Sequence, residues 1–402
     1  MTRVRKRSQA NVALPLCLTP SGGGRRTSSA WGRSWLVLLL CAGPLLAGCA
    51  LGPDKPKPKP LLEFAPQIAG KVVWQQRLDG VGFPLAVAVN EGVFTLAGND
   101  GTVMALQADT GREVWRASAG GKLSAGVGTD GRFAAVVTRD GELVTLEAGR
   151  VKWRKALGSR VTTTPLVAGE RVFVLGVDRS VSAFDALDGR KLWTVQRPGD
   201  PLTLSQAGVL VAFKDTLVVG QGPRLAGLDP LRGAVRWEVP VATPRGANEV
   251  ERLADLVGPA ARFGNVLCAR AFQSAVGCVN AERGTLVWTK NTGGTDAVAG
   301  DDEYVFGADA SDRMTAWRIL NGEVAWTNET LLYRGLGAPL SVGKTLVFGD
   351  AEGRLHWLSR DKGEPLLRLT TDGSPVMGAP VVSGSTMLVV TRAGGVFAFR
   401  PE

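Results

Sequence analysis

Beyond residue 66 the apolar residues of this chain recur with a period of two, in short runs divided by polar turns. "ERVFVLG", "KTLVFGD" and "TMLVVT" are apolar strands, while "TVMALQ", "SVSAFD" and "GVFAF" alternate. Between them stand turns carrying Asp or Gly, such as "NDGT", "RDGE", "AEGR" and "RAGG". Two-residue periodicity bounded by such turns predicts β-hairpins, and no stretch sustains the 3.6-residue period of a helix. Pro-containing strands ("TTPLVAG", "GAPLSVG", "GAPVVSG") precede the hairpins, and a tail of the form Gly-x-x-x-Trp follows them.

The tail recurs as Gly70…Trp74, Gly111…Trp115, Gly149…Trp153, Gly189…Trp193, Gly233…Trp237, Gly284…Trp288 and Gly322…Trp326, and once more as Gly363…Leu367. Successive spacings are 41, 38, 40, 44, 51, 38 and 41 residues, and seven of the eleven tryptophans occupy this slot. Four short strands in every ~40 residues is the sequence form of a β-propeller. The first tail has no strands before it and the last hairpin, ending at Phe399, has no tail after it. An N-terminal strand that completes the last blade resolves both gaps. The expectation is therefore an all-β, eight-bladed propeller of four-stranded antiparallel blades, closed by its N-terminal strand. Closure hides edges that would otherwise invite aggregation. The Trp slot is expected to stack between neighbouring blades, each ring removing on the order of 150–250 Å² from water. With Leu367 in the slot, the seventh interface is expected to be a little weaker.

Before residue 67 the pattern is different. Trp35 to Leu46 is an apolar run too short to span a bilayer and suited to a signal-peptide core. It ends in Leu46-Ala47-Gly48-Cys49, which resembles the lipobox of bacterial lipoproteins and implies cleavage before Cys49 and acylation of that residue. The Pro/Lys alternation that follows, "PDKPKPKP", favours extended, solvated polyproline II. The domain assignment is a signal peptide at 1–48, a lipidated Cys and tether at 49–66, and the propeller at 67–402. Ala50, where an Asp would retain the protein in the inner membrane under the bacterial sorting rule, implies the periplasmic face of the outer membrane. Several acyl chains at about 0.8 kcal/mol per buried CH₂ hold such a protein stably.

The net charge of +10 changes meaning once it is placed along the chain. Seven basic residues and no acidic one lie in residues 1–48, which leaves 40 Lys and Arg against 37 Asp and Glu in the rest. A nucleic-acid partner is not indicated. Glycine, at 52 of 402 residues, is well above the usual ~7%, in keeping with frequent turns.

No catalytic, cofactor or metal constellation emerges. His356, in "RLHWLS", is the sole histidine, and it lies on an expected strand as a packed or rim imidazole. There is no Gly-x-Ser-x-Gly elbow, HExxH, CxxC pair or P-loop. Asp301-Asp302-Glu303 falls at an expected turn and reads as a solvated loop, with a calcium site the competing reading. Cys268 and Cys278 flank a turn near Gln273 and should face each other on adjacent strands. In an oxidising compartment a disulfide staple fits, as do two buried thiols.

The segments "ALQADTGREVW", "AFDALDGRKLW" and "CVNAERGTLVW" resemble the repeat of quinoprotein-dehydrogenase-like propellers. The vicinal cysteines typical of those enzymes are absent. A lipobox joined to eight such repeats in about 400 residues resembles the BamB family of the outer-membrane β-barrel assembly machinery. That resemblance implies a non-enzymatic scaffold that docks on the POTRA domains of BamA and assists unfolded barrel proteins. It also implies two docking stretches. In "GDPLTLSQAG" the family's Leu-x-Leu is Leu202 and Leu204, and the Arg that usually follows is Ser205. In "NEVERLADLVGP" the family's Arg-Leu-x-Asp is Arg252, Leu253 and Asp255, and the second acidic position is Val257. A different lipoprotein propeller that binds peptide, glycan or a sensor, and a quinoprotein enzyme, are the competing implications.

Overall fold

The computed structural model describes residues 56–197 and 202–401. The leader and Cys49 lie outside the described residues. Eight antiparallel sheets of four strands account for the repeats. Seven blades take their strands consecutively, within residues 88–118, 128–156, 166–196, 210–240, 256–291, 299–328 and 340–370. Blade 8 uses 376–383, 386–391 and 395–401, and its outermost strand is Gly70–Arg77 paired with Gly395–Pro401. The first strands of successive blades touch in a complete circle, with 376–383 returning to 88–90. The ring is closed as the unmatched ends required.

The two middle strands of a blade are covered on both faces. Val93–Ala97 and Thr102–Gln107 are buried almost throughout, whereas the outer strand Glu113–Ser118 alternates between exposed and half-buried. The alternation expected for the third strand is therefore overridden, because each blade is sandwiched between two others. The core lies between blades, and one continuous cluster joins Leu388 and Val396 of blade 8, Phe94 and Leu106 of blade 1, and Val136 and Leu146 of blade 2.

The tail motif has a double cause. Its seven Trp-associated glycines from Gly111 to Gly363 all adopt φ between +63° and +76°, a region that costs other L-residues energy. A Cβ on any of them would also lie 2.5–2.9 Å from the tryptophan of the preceding blade. In five of the seven the indole N–H also donates to a carbonyl of the next blade, as from Trp153 to Ala186 at 2.8 Å and from Trp288 to Ile319 at 2.7 Å. Directly across the sheet from each tail tryptophan is a smaller residue, such as Ala105, Ala183, Gly227, Cys278 or Ala316. Burying most of one ring contributes on the order of 3 kcal/mol before entropy.

Blade 7 exchanges the two sizes. Trp357 stands on the third strand, opposite Leu367 in the tail slot. Leu367 reaches Gly70 at 3.2 Å from the ideal Cβ position, and a cavity of about 240 Å³ remains at this seam beside Ile68, Trp357, Met387 and Phe399.

The folded body begins earlier than residue 67. The Lys59 amide donates to the Leu332 carbonyl, Arg334 donates to the Lys59 carbonyl, and Arg368 donates to the Leu62 carbonyl while covering the Phe64 ring. Leu61 packs on the core of blades 6 and 7. Part of the segment assigned to the tether is thus laid against the propeller, because its Pro/Lys run gives way to Leu61, Leu62 and Phe64.

Candidate functional site

The two stretches singled out in the sequence meet above blades 3 to 5. Leu202 and Leu204 precede blade 4 on irregular chain, not on a strand, and Leu202 is 37% exposed. Ser205 is exposed beside them. The segment is tied to blade 3, where the Thr162 hydroxyl donates to the Gln206 carbonyl and the Gly208 amide donates to the Thr163 hydroxyl. Asp255 ends the long loop between blades 4 and 5, immediately before the strand Leu256–Phe263. Its Oδ2 accepts the Leu204 amide at 3.0 Å, so one carboxylate links the two stretches. Arg252 lies half-buried in a turn closed by its own amide bonding to the Asn248 carbonyl. Val257, at the second acidic position of the family pattern, is buried on the first strand of blade 5.

Sequence reasoning did not find Arg179. It sits at the hairpin turn of blade 3, and its guanidinium approaches Asp255 Oδ1 at 3.4 Å. Both side chains are mostly covered. A charged residue at a turn position that is otherwise often Gly was the available signal.

The other candidates have structural roles. Cys268 and Cys278 are in direct register on adjacent strands, buried, and joined as a disulfide. Asp301 caps the amides of Glu303 and Tyr304, and Arg360 from blade 7 pairs with Asp302, Glu303 and Asp301. That acidic triple is already paired with a cation from a neighbouring blade, and no group of three metal-binding side chains occurs among the described residues.

His356 is buried with Asp350 and Arg334. Its Nε2 bonds Asp350 Oδ2 at 3.0 Å, and its Nδ1 accepts from Arg368 Nε at 3.4 Å. The second bond needs a lone pair on Nδ1, so the ring is neutral although it faces a carboxylate. Burial pushes the imidazole below its ordinary value, with Asp350 pulling the other way and Arg368 and Arg334 adding to the depression. Burial lifts the Asp350 carboxyl, yet hydrogen bonds from His356, the Arg354 amide and Arg334 hold it below the usual range. An unfolded chain therefore binds a proton at this histidine near pH 6.5 that the folded chain resists. Stability present above that pH is lost as pH falls from 6.5 through the lower folded value. The thermal midpoint should decline between pH 7 and 5, and His356→Gln should flatten that decline. An unchanged slope in the variant would exclude this histidine as its source. The Asp350 contribution is lost in a separate window, below about pH 3.8.

An axial cavity of about 850 Å³ is lined by loops that include Phe83, Pro259, Asp296 and Asp312. Asp312 accepts the amides of Gly335 and Leu336, and Asp296 Oδ2 accepts the Thr295 hydroxyl. These carboxylates are engaged internally and vicinal cysteines are absent from the sequence, so the residues present do not fit the quinone cofactor of the dehydrogenases whose repeats these resemble.

A family model described as "Outer membrane protein assembly factor BamB" matches residues 99–328. The protein of that description from Burkholderia pseudomallei is 36% identical over 370 residues, covering 90% of this chain and 97% of the relative. Its Bordetella pertussis counterpart is 34% identical over 379 residues, covering 92% and 98%. Among solved structures, BamB from Moraxella catarrhalis superposes with a TM-score of 0.76 at 24% identity, over 83% of this chain and all of that one. A quinohemoprotein alcohol dehydrogenase from Comamonas testosteroni superposes with a TM-score of 0.63 at 17% identity, covering 82% and 76%, a likeness of fold alone. The relatives that share sequence along nearly the whole length are described as assembly factors and not as enzymes. This chain belongs to the BamB family of outer membrane protein assembly factors.

Proposed function

We propose that this chain is a non-catalytic periplasmic scaffold, held to the outer membrane through a lipid on Cys49, that docks on the POTRA domains of BamA. The docking patch comprises Leu202, Leu204, Ser205, Arg252 and Asp255. Through it the propeller assists the assembly of unfolded barrel proteins that engage it transiently. One observation carries the reading: an exposed Leu202 projects from irregular chain, and the neighbouring Leu204 amide is fixed by a carboxylate from another blade's loop. An apolar side chain presented on a braced loop of a rigid ring is an arrangement suited to gripping a partner. Leu202 and Leu204 supply contact area, Asp255 sets the loop, and Ser205 and Arg252 border it.

The double change Leu202→Ala and Leu204→Ala is expected to remove co-purification with BamA while the β-sheet circular dichroism stays as in the parent. Undiminished recovery of the complex would place the interface elsewhere on the ring.

A further inference from the structure

The hairpin turn between the second and third strands is closed in seven blades by a hydrogen bond from an amide to the carbonyl three residues earlier. In blade 5, from Ser274 to Ala271, the positive φ falls instead on Gln273, and the other six turns share one form. Their pairs are Gly101 to Gly98, Gly141 to Thr138, Arg179 to Gly176, Asp312 to Asp309, Gly353 to Asp350 and Gly394 to Thr391. The donor residue has positive φ in every case, from +64° to +96°. Glycine occupies four of the six positions, as the left-handed region favours. Asp312 is of a type that tolerates this region, and its carboxylate clamps the loop entering blade 7 through the amides of Gly335 and Leu336. Arg179, at φ +64°, is the remaining exception and has no such tolerance. A strained residue of this kind persists where its side chain is needed.

The side chain of Arg179 leaves blade 3, passes along the cleft lined by Thr203, Leu204 and Gly222, and reaches Asp255. Its Nε is buried with no hydrogen-bond partner, a further cost of holding the guanidinium there. Asp255 in turn accepts the Leu204 amide. Ser205, next along the chain, brings no charge to this point. We infer that Arg179 is a positioning residue of the docking patch, a clamp that acts through Asp255 to hold the Leu202–Leu204 segment in its binding conformation. The inference rests on the reading of that patch as the docking surface. It takes strain in one blade's turn as the counterpart of order in the loop beyond the next blade.

The test uses the full chain and the isolated POTRA domains of BamA as probe. Arg179→Gly removes the clamp and also relieves the backbone, so its denaturation midpoint should equal or exceed the parent's, while its affinity for the POTRA domains should fall by about tenfold. Arg179→Lys keeps the charge and should bind with intermediate affinity. A residue with a merely structural role would show lost binding together with a lowered midpoint, and that result would overturn the inference. So would a lysine variant as weak as the glycine one. If Arg179→Gly bound normally while Leu202→Ala/Leu204→Ala did not, the patch would stand and the clamp would fail. If both bound normally, the reading of the patch would fail, and the clamp with it.

Discussion

Alanine at Gly189 is expected to destabilise the propeller by about 3 kcal/mol, whereas alanine at Gly169 should cost only about 1 kcal/mol. Both glycines have positive φ, +72° and +58°, so both substitutions carry the backbone penalty. They differ in what the new methyl meets. Nothing lies within 4 Å of a Cβ at Gly169, but at Gly189 it would be 2.6 Å from the Trp153 ring. That ring is held by its N–H bond to Ala186 and packs near Phe184 at 6.5 Å between centroids, so it has no room to retreat. Equilibrium unfolding in urea with an unchanged m-value would give the two costs. In a Trp153→Ala background the excess at Gly189 should vanish, which isolates the coupling between blades. Equal costs at the two glycines in the parent would show that the tail glycine serves the turn alone and not the seam.

Arg270→Met should lower stability by about 3–5 kcal/mol, the larger of the two effects. Arg270 lies on the apolar strand Val266–Ala271 with no exposed surface, the largest fully buried side chain among the described residues. Its three nitrogens donate to the carbonyls of Asp296 at 2.7 Å, Gly293 at 2.8 Å and Ala308 at 2.8 Å. Burial lowers its pKa to about 10, with Asp296 and Asp309 opposing that, so the guanidinium stays charged at neutral pH. Replacing a buried ion pair by apolar residues is often harmless when both partners go. Here the partners include three backbone carbonyls that no substitution removes, and they would be left unpaired. Burial also pushes the Asp296 carboxyl up, and loss of the nearby cation should raise it further. Lysine has one ammonium and cannot reproduce a planar fork directed at three acceptors, so Arg270→Lys should recover a minor part. A methionine variant as stable as the parent would mean that the loop carrying Gly293 and Asp296 finds other partners.

Much of the architecture is legible in the sequence because it is periodic. Seven tryptophans in one slot, each four residues after a glycine, require a repeated seam, and the unmatched ends require a ring. The docking patch is legible only through resemblance, since neither "LTLS" nor "RLAD" has a physical signature of its own. Arg270 gives a fainter sign, a lone charge in an apolar strand. Its three acceptors lie 23 to 38 residues further on, so no local pattern connects them to it.

The linear order of residues thus determined the blade count, the closure and the interleaving of glycine with indole, because those follow from short-range periodicity that every repeat restates. Tertiary structure alone decided that residues 59 to 64 lie against blades 6 and 7, that Trp357 and Leu367 exchange sizes, and that Arg179 meets Asp255 across 76 positions of chain. Such contacts are made once, between segments distant in sequence, and depend on how closely neighbouring blades approach. A pattern that is never repeated leaves no period to read.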